Sequence, residues 1–281
     1  MSFYQGRAYS ILHPTDFSEA SEVAFAHALA IAIKNKADLT ILHVTPSKDH
    51  EVDWQDFPSI RKSLERWGVI EPGTRKSEVE SLTGIHVQKL VSVDQNAVDA
   101  IVGLTGVDSF DLLVMGTRGV GASSIFSKPS SSVTVAQRVQ LPTLFVTEGT
   151  HSCVDLETGR ASLSKILLAV DHEPKAQGAV GRVRTMLQNL GGGDSQVTLL
   201  HVGKEDNFPK LDLPSDANIT WSRTARQGSA ASEITKQAEE MDADLIVMVT
   251  SGKVNLWDII AGSTVQNVLK NAPCPVFSLP G

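Results

Sequence analysis

The feature that most constrains this chain is that it is written twice. The stretch YSILHPTDFSEASEVAFAHALAIA, residues 9–32, is answered by SKILLAVDHEPKAQGAVGRVRTML, residues 164–187. ADLTILHV is answered by SQVTLLHV, NAVDAI by SAASEI, DLLVM by DLIVM, and LPTLFV by CPVFSL. Asp16 and Asp171 stand 155 positions apart, and Val44 and Val202 stand 158 apart. From Ile101 and Ile234 to Pro142 and Pro275 the offset holds at 133, so the second copy is 25 residues shorter before that point. Internal repetition of this kind means that one supersecondary plan must serve both halves.

Within each copy, short apolar runs alternate with helical patterns. In the first copy Ala8–His13, Leu39–Val44, His86–Val91, Leu112–Met115 and Thr143–Thr147 predict strands. Helices are predicted over Ser18–Ile33, Asn96–Leu104 and Ser131–Val139. In the extra segment of copy one, the spacing of Trp54, Phe57, Ile60, Leu64 and Trp67 predicts an amphipathic helix. The second copy repeats the strands at Lys165–Val170, Val197–Val202, Ile219–Thr224, Leu245–Val249 and Val276–Leu279. Nearly continuous apolar strands between helices predict an α/β fold: two tandem doubly wound domains, each a five-stranded parallel sheet with helices on both faces. The expected divisions are a first domain over 1–149, a polar linker over 150–162 and a second domain over 163–281.

An open parallel sheet holds ligands beyond the carboxyl ends of its strands, where the strand order reverses. In copy one the fourth strand ends at Met115, and Gly116, Gly119 and Gly121 follow. Glycine lets a ligand approach the backbone with no Cβ in the way. The next helix opens near Ser130, where its unpaired N–H groups favour an anion. Ser130, Ser131 and Ser132 add hydroxyls, and Arg118 and Lys128 add positive charge. Together these parts make a phosphate cradle. Copy two builds the same device from Gly252, Lys253, Gly262, Ser263 and Thr264. The opposite wall is the end of the first strand, where Asp16 and Asp171 stand. A carboxylate there accepts hydrogen bonds from a base amino group or a ribose hydroxyl. Helix capping by Asp16 or Ser18 is the alternative reading, and the two roles are compatible.

Other chemistries find little footing. A formal net charge of −7 offers no basic surface for nucleic acid or an anionic membrane. The N-terminal residues lack the apolar core of a signal peptide, and no run is long enough to span a membrane, so the cytoplasm is the expected compartment. Two cysteines fit a reducing environment. Cys153 reads as an exposed linker residue and Cys274 as buried at the start of a strand. No Walker motif or G-x-S-x-G occurs, and the glycine pattern from Gly119 meets Ser124 where a dinucleotide fingerprint needs a small final residue. No serine has a nearby base, so no catalytic residue is expected. His13 and His43 could face each other on neighbouring strands, but no carboxylate or cysteine cluster completes a site, and no metal is expected.

Taken together, ILHPTDFSEAS, LHV, DLLVMGTRG and LPTLFV in copy one, and LHV, ADLIVM, G…GST and NAPCPV in copy two, resemble the universal stress protein family over nearly the whole chain. The frame G-x-x-G, nine residues, then G-S/T is that family's ATP-binding pattern. By position, the resemblance implies adenine and ribose contacts from Pro14, Thr15, Asp16 and Val44. It implies ribose and phosphate contacts from Met115, Gly116, Arg118, Gly119, Ser130 and Ser131. The matching residues of copy two are Ala169, Val170, Asp171, Val202, Met248, Gly252, Gly262, Ser263 and Thr264. It also implies pairing of the two last strands, within one chain or between two protomers of a homodimer.

Each copy departs from the pattern at one end. Copy one has Pro129 in place of the third glycine; proline gives no N–H but opens a helix well. Copy two has Val249 in place of the first glycine, a β-branched side chain that resists positive φ. Copy one, with Pro14-Thr15-Asp16 intact, is expected to be the better nucleotide site. The resemblance therefore implies a regulator that binds ATP, ADP or AMP, with or without Mg2+, and acts on a protein partner. A slow ATPase or phosphotransferase and a nucleotide-free interaction module with degenerate sites are the alternatives.

Overall fold

The computed structural model describes residues 8–48, 52–117, 129–173, 176–250 and 264–281. The first half runs β1 (Ser10–Thr15), α1 (Glu19–Asn35), β2 (Asp38–Thr45), α2 (Ile60–Arg66), α3 (Lys76–Thr83), β3 (His86–Val93), α4 (Ala97–Val107), β4 (Leu112–Thr117), α5 (Pro129–Val139) and β5 (Thr143–Thr147). The second runs β6 (Lys165–Val170), α6 (Gln177–Leu190), β7 (Ser195–Val202), β8 (Ile219–Arg226), α7 (Ala230–Glu240), β9 (Leu245–Thr250), α8 (Thr264–Asn271) and β10 (Val276–Pro280).

Each half is a parallel sheet of five strands, in the order β3-β2-β1-β4-β5 and its mirror β10-β9-β6-β7-β8. The halves join into one ten-stranded sheet through an antiparallel contact of β5 with β10, with Phe145 opposite Val276 and Leu144 opposite Phe277. The strand-order reversal falls between β1 and β4, and between β6 and β9.

Successive strand residues point to opposite faces, and here both faces are dry. Ile11 belongs to a core beneath α1 and α6, whereas Leu12 belongs to a core beneath α4, α5, α7 and α8. Both cores span the two copies, so hydrophobic burial is organised by face of the sheet rather than by copy. The segment between β5 and β6 joins the first of these cores. Cys153 and Val154 are buried in it, and Val154 bridges Ala161. The expectation of an exposed Cys153 is therefore corrected: it is only 4% exposed, and burial pushes its thiol up to about 12. Cys274 is fully buried just before β10, as expected.

The extra segment of copy one departs from a single long helix. Only Ile60 and Leu64 of its aromatic and aliphatic series lie on α2, which spans Ile60–Arg66. Trp67 is its C-cap, with its indole N–H donated to Leu156 O at 2.9 Å. Trp54 and Phe57 precede the helix and pack edge-to-face on Phe17. No helix among the described residues is long and apolar enough to cross a membrane.

Candidate functional site

At the end of β1 the chain turns sharply into α1. Thr15 is buried, and its hydroxyl accepts hydrogen bonds from Phe17 N (3.1 Å) and Ser21 Oγ (2.8 Å). Ser18 is the N-cap of α1, accepting from Ser21 N. Asp16 is not the cap. Its Oδ1 accepts from the backbone N–H and the hydroxyl of Ser18, and so holds the capping residue in place. Its Oδ2 is buried and has no partner among the described residues. A carboxylate oxygen withdrawn from water without a donor costs free energy, so this atom favours a ligand that brings one.

The neighbouring predicted residues fall into place by face. Val44 and Met115 belong to the core on the α4 and α5 side, Met115 almost fully buried and Val44 partly so. Pro14 is buried within β1. The hydroxyl of Thr15 is committed to the start of α1, and its carbonyl meets His43 Nδ1 at 2.9 Å.

Gly116 has a structural reason of its own. A Cβ there would lie 2.6 Å from Ala20 O and 2.8 Å from its carbonyl carbon, so the missing side chain is what lets the first turn of α1 rest on β4. Copy two carries Val249 at this point, and its helix α6 starts later, at Gln177, six residues past Asp171 against three for α1 past Asp16. The two observations fit: with a valine on the strand, the helix cannot settle so closely.

α5 begins at Pro129, whose fixed φ suits a first helical position and whose missing N–H would be unpaired there anyway. The backbones of Ser130 and Ser131 therefore lie in its first turn. Arg118 and Gly119, and Gly252, Gly262 and Ser263 of copy two, lie outside the described residues. Thr264 is exposed at the first position of α8.

The second crevice differs at its acid. Asp171 is exposed, its Oδ1 accepting from His172 N at 2.8 Å. Ala169 and Val202 are partly buried, and Val170 and Met248 are buried. Asp16, by contrast, is half-buried against α1. The structure thus keeps a sheltered, under-coordinated carboxylate in copy one and a solvated one in copy two.

Two aromatic contacts beside the sites were not foreseen from the sequence. Phe17, with φ 61°, stacks on His43 with ring centroids 4.5 Å apart, and Lys89 Nζ sits 4.7 Å over Trp54. His13 is fully buried with Nδ1 3.0 Å from Val114 O, and burial holds its imidazole down at about 4. It is neutral at physiological pH. At the opposite ends of the strands, Asp111 and Asp244 stitch β4 to β1 and β9 to β6. Asp111 Oδ2 accepts from Ser10 N (2.8 Å), and Asp244 Oδ2 accepts from Ser164 N (2.7 Å), Ser164 Oγ (2.9 Å) and Lys165 N (2.9 Å). The repeated DL dipeptide before each fourth strand is the signal that marks this pair.

The universal stress protein family model matches residues 9–147 and 210–280. Over 51 residues the chain is 52% identical to a universal stress protein of Methanocaldococcus jannaschii, a match spanning 18% of this chain and 30% of that protein, so under a third of that relative is covered. The fold superposes on the crystal structure of a universal stress protein from Archaeoglobus fulgidus with TM-score 0.58 and 18% identity, covering 98% of this chain and 97% of that one. It superposes on a functionally unknown protein from Pseudomonas aeruginosa with TM-score 0.61 and 15% identity, covering 97% and 92%. At these identities the structural likeness is one of fold.

Proposed function

The chain belongs to the universal stress protein family, and we propose that it binds an adenine nucleotide in the first crevice and acts as a stress-response regulator in the cytoplasm. The nucleotide is ATP, ADP or AMP, and any Mg2+ arrives as the counter-ion of its phosphates. Domain 1–149 carries the site, residues 150–162 link it to domain 163–281, and a protein partner reads the result. The observation that carries this reading is Asp16 Oδ2, buried at the strand-order reversal with no partner among the described residues. An adenine amino group or a ribose hydroxyl supplies the donor it lacks. Val44, partly buried, offers apolar surface for a base, and the first turn of a helix such as α5 favours an anion. Repulsion from Asp16 orients the phosphates toward α5.

Native mass spectrometry of the full chain, purified without added nucleotide and then incubated with ATP, tests the reading. A mass increment of one adenine nucleotide, retained or acquired, is expected. A chain that neither retains nor takes up ATP, ADP or AMP contradicts it.

A further inference from the structure

The two halves diverge just past β1 and β6. The repeat matches Asp16, Phe17 and His43 with Asp171, His172 and His201. In the first half Phe17 lies on His43 and covers it with an apolar ring. In the second half His172 meets His201 edge-on, with ring centroids 5.8 Å apart, and Asp171, His172 and His201 each bring one ligating atom to within 4.8 Å of the others. We propose that Asp171, His172 and His201 bind a divalent first-row transition ion of the Zn2+ class at the carboxyl ends of β6 and β7. The site is on the α6 side of the sheet, and it does not depend on the nucleotide reading of the first half.

Two imidazoles and one carboxylate form a donor set suited to such an ion, with remaining positions open to water. The groups around the ligands fix which nitrogens are free. His172 Nε2 is 2.9 Å from Asn207 O, which can only accept, so that nitrogen carries the proton and Nδ1 keeps its lone pair. A backbone carbonyl on the far nitrogen is the usual second support of a metal-binding histidine. For His201 the nitrogen on the side of Asp171 is Nδ1, while Nε2 is buried with no partner among the described residues. Gly203 stands over Nε2, where a Cβ would come within 2.3 Å, and Nδ1 faces Asp171 Oδ1 at 3.9 Å. Nδ1 also meets Val170 O, but at 3.3 Å, against 2.9 Å for the matching bond of His43 to Thr15 O. That carbonyl places the ring proton on Nδ1 in the metal-free chain, so ligation breaks this contact and moves the proton to Nε2.

Ligand atoms in a tetrahedral zinc shell lie ~3.3 Å apart, given bonds of about 2.0–2.1 Å. Closing from the present separations needs shifts of about an ångström. His201 is buried on β7, while Asp171 and His172 are exposed on the turn that follows β6.

The test uses the full-length, untagged chain, titrated with Zn2+ against a chromophoric chelator and with Co2+ followed by its visible absorption. One equivalent of Zn2+ and a low-symmetry Co2+ spectrum are expected. His172→Phe installs the first-half residue at an exposed position and should lower Zn2+ affinity at least tenfold, with loss of the Co2+ bands. Asp171→Ala should do the same. Melting curves in chelator, unchanged in both variants, establish that the loss is one of ligands and not of fold. No Zn2+ binding by the wild-type chain, or Zn2+ binding indifferent to both substitutions, overturns the site. Neither outcome bears on ATP binding, which is read separately.

Discussion

Phe17 lies nearly flat on His43, with ring centroids 4.5 Å apart and planes 21° from parallel. The stack accounts for an unusual backbone, since Phe17 holds φ at 61° in a left-handed conformation that disfavours any residue with a Cβ. The aromatic group of Trp54 and Phe57 packs over the same ring and helps to keep it there.

Strain and packing at Phe17 can be separated. Phe17→Ala removes the ring but keeps the strained conformation, and about 2–4 kcal/mol of stability should be lost in urea unfolding. Phe17→Gly loses the same ring but relaxes the strain. The glycine variant should therefore be the more stable of the two by about 1 kcal/mol, the reverse of the usual order. A glycine variant weaker than the alanine variant would show that the left-handed turn stores no strain.

Gly116→Ala drives a methyl group into the carbonyl of Ala20. The strand and the first turn of α1 must separate, which costs about 1–3 kcal/mol by the rule for overpacked sites. Val249→Gly has no such conflict to relieve and should change stability mainly through chain entropy and a small cavity. Thermal melts of the two variants give the comparison; an unaffected Gly116→Ala protein would mean that α1 does not sit where it is described.

Asp244→Ala strips the acceptor from Ser164 N, Ser164 Oγ and Lys165 N, and removes the 3.2 Å contact with His151 Nε2. Asp244 is only 7% exposed, so the stranded donors cannot all find water. A loss of about 2–4 kcal/mol is expected, measurable as a shift of the urea midpoint. Asp244→Asn, which keeps an acceptor oxygen, should cost less.

His13 and His27 are both fully buried, and burial lowers each from 6.5 to about 4. The unfolded chain therefore binds protons below pH 6.5 that the folded chain refuses until about pH 4. Stability from these two groups is complete above pH 6.5 and falls as pH drops through that window, by up to about 3 kcal/mol per histidine. Melting temperatures from pH 7.5 to 4.5 should show this acid limb, and His27→Asn should make it shallower. A flat profile in the wild-type chain would mean that these rings are solvated.

Much of the architecture was legible because it was written twice. The offset from Asp16 to Asp171 and from Val44 to Val202 located matching strands, and predicted strand ends agree with the structure to within a few residues. Two kinds of feature were not legible. Trp54 and Phe57 follow helical spacing yet lie before α2, because the ring of Phe17 and the core beneath α1 give them a better burial than a continued helix would. Gly116 read as a glycine kept bare for a ligand, and nothing in its spacing showed that its absent side chain also makes room for Ala20. That contact joins residues distant in sequence, and spacing alone carries no trace of it.

The central claim is that the first crevice, through Asp16, is the nucleotide site. Calorimetric titration of ATP into the wild-type, Asp16→Ala and Asp171→Ala chains tests it most directly. Affinity should fall at least tenfold more for Asp16→Ala than for Asp171→Ala, as the loss of a buried charged acceptor implies. Loss confined to Asp171→Ala, or equal affinity in all three chains, would contradict the account.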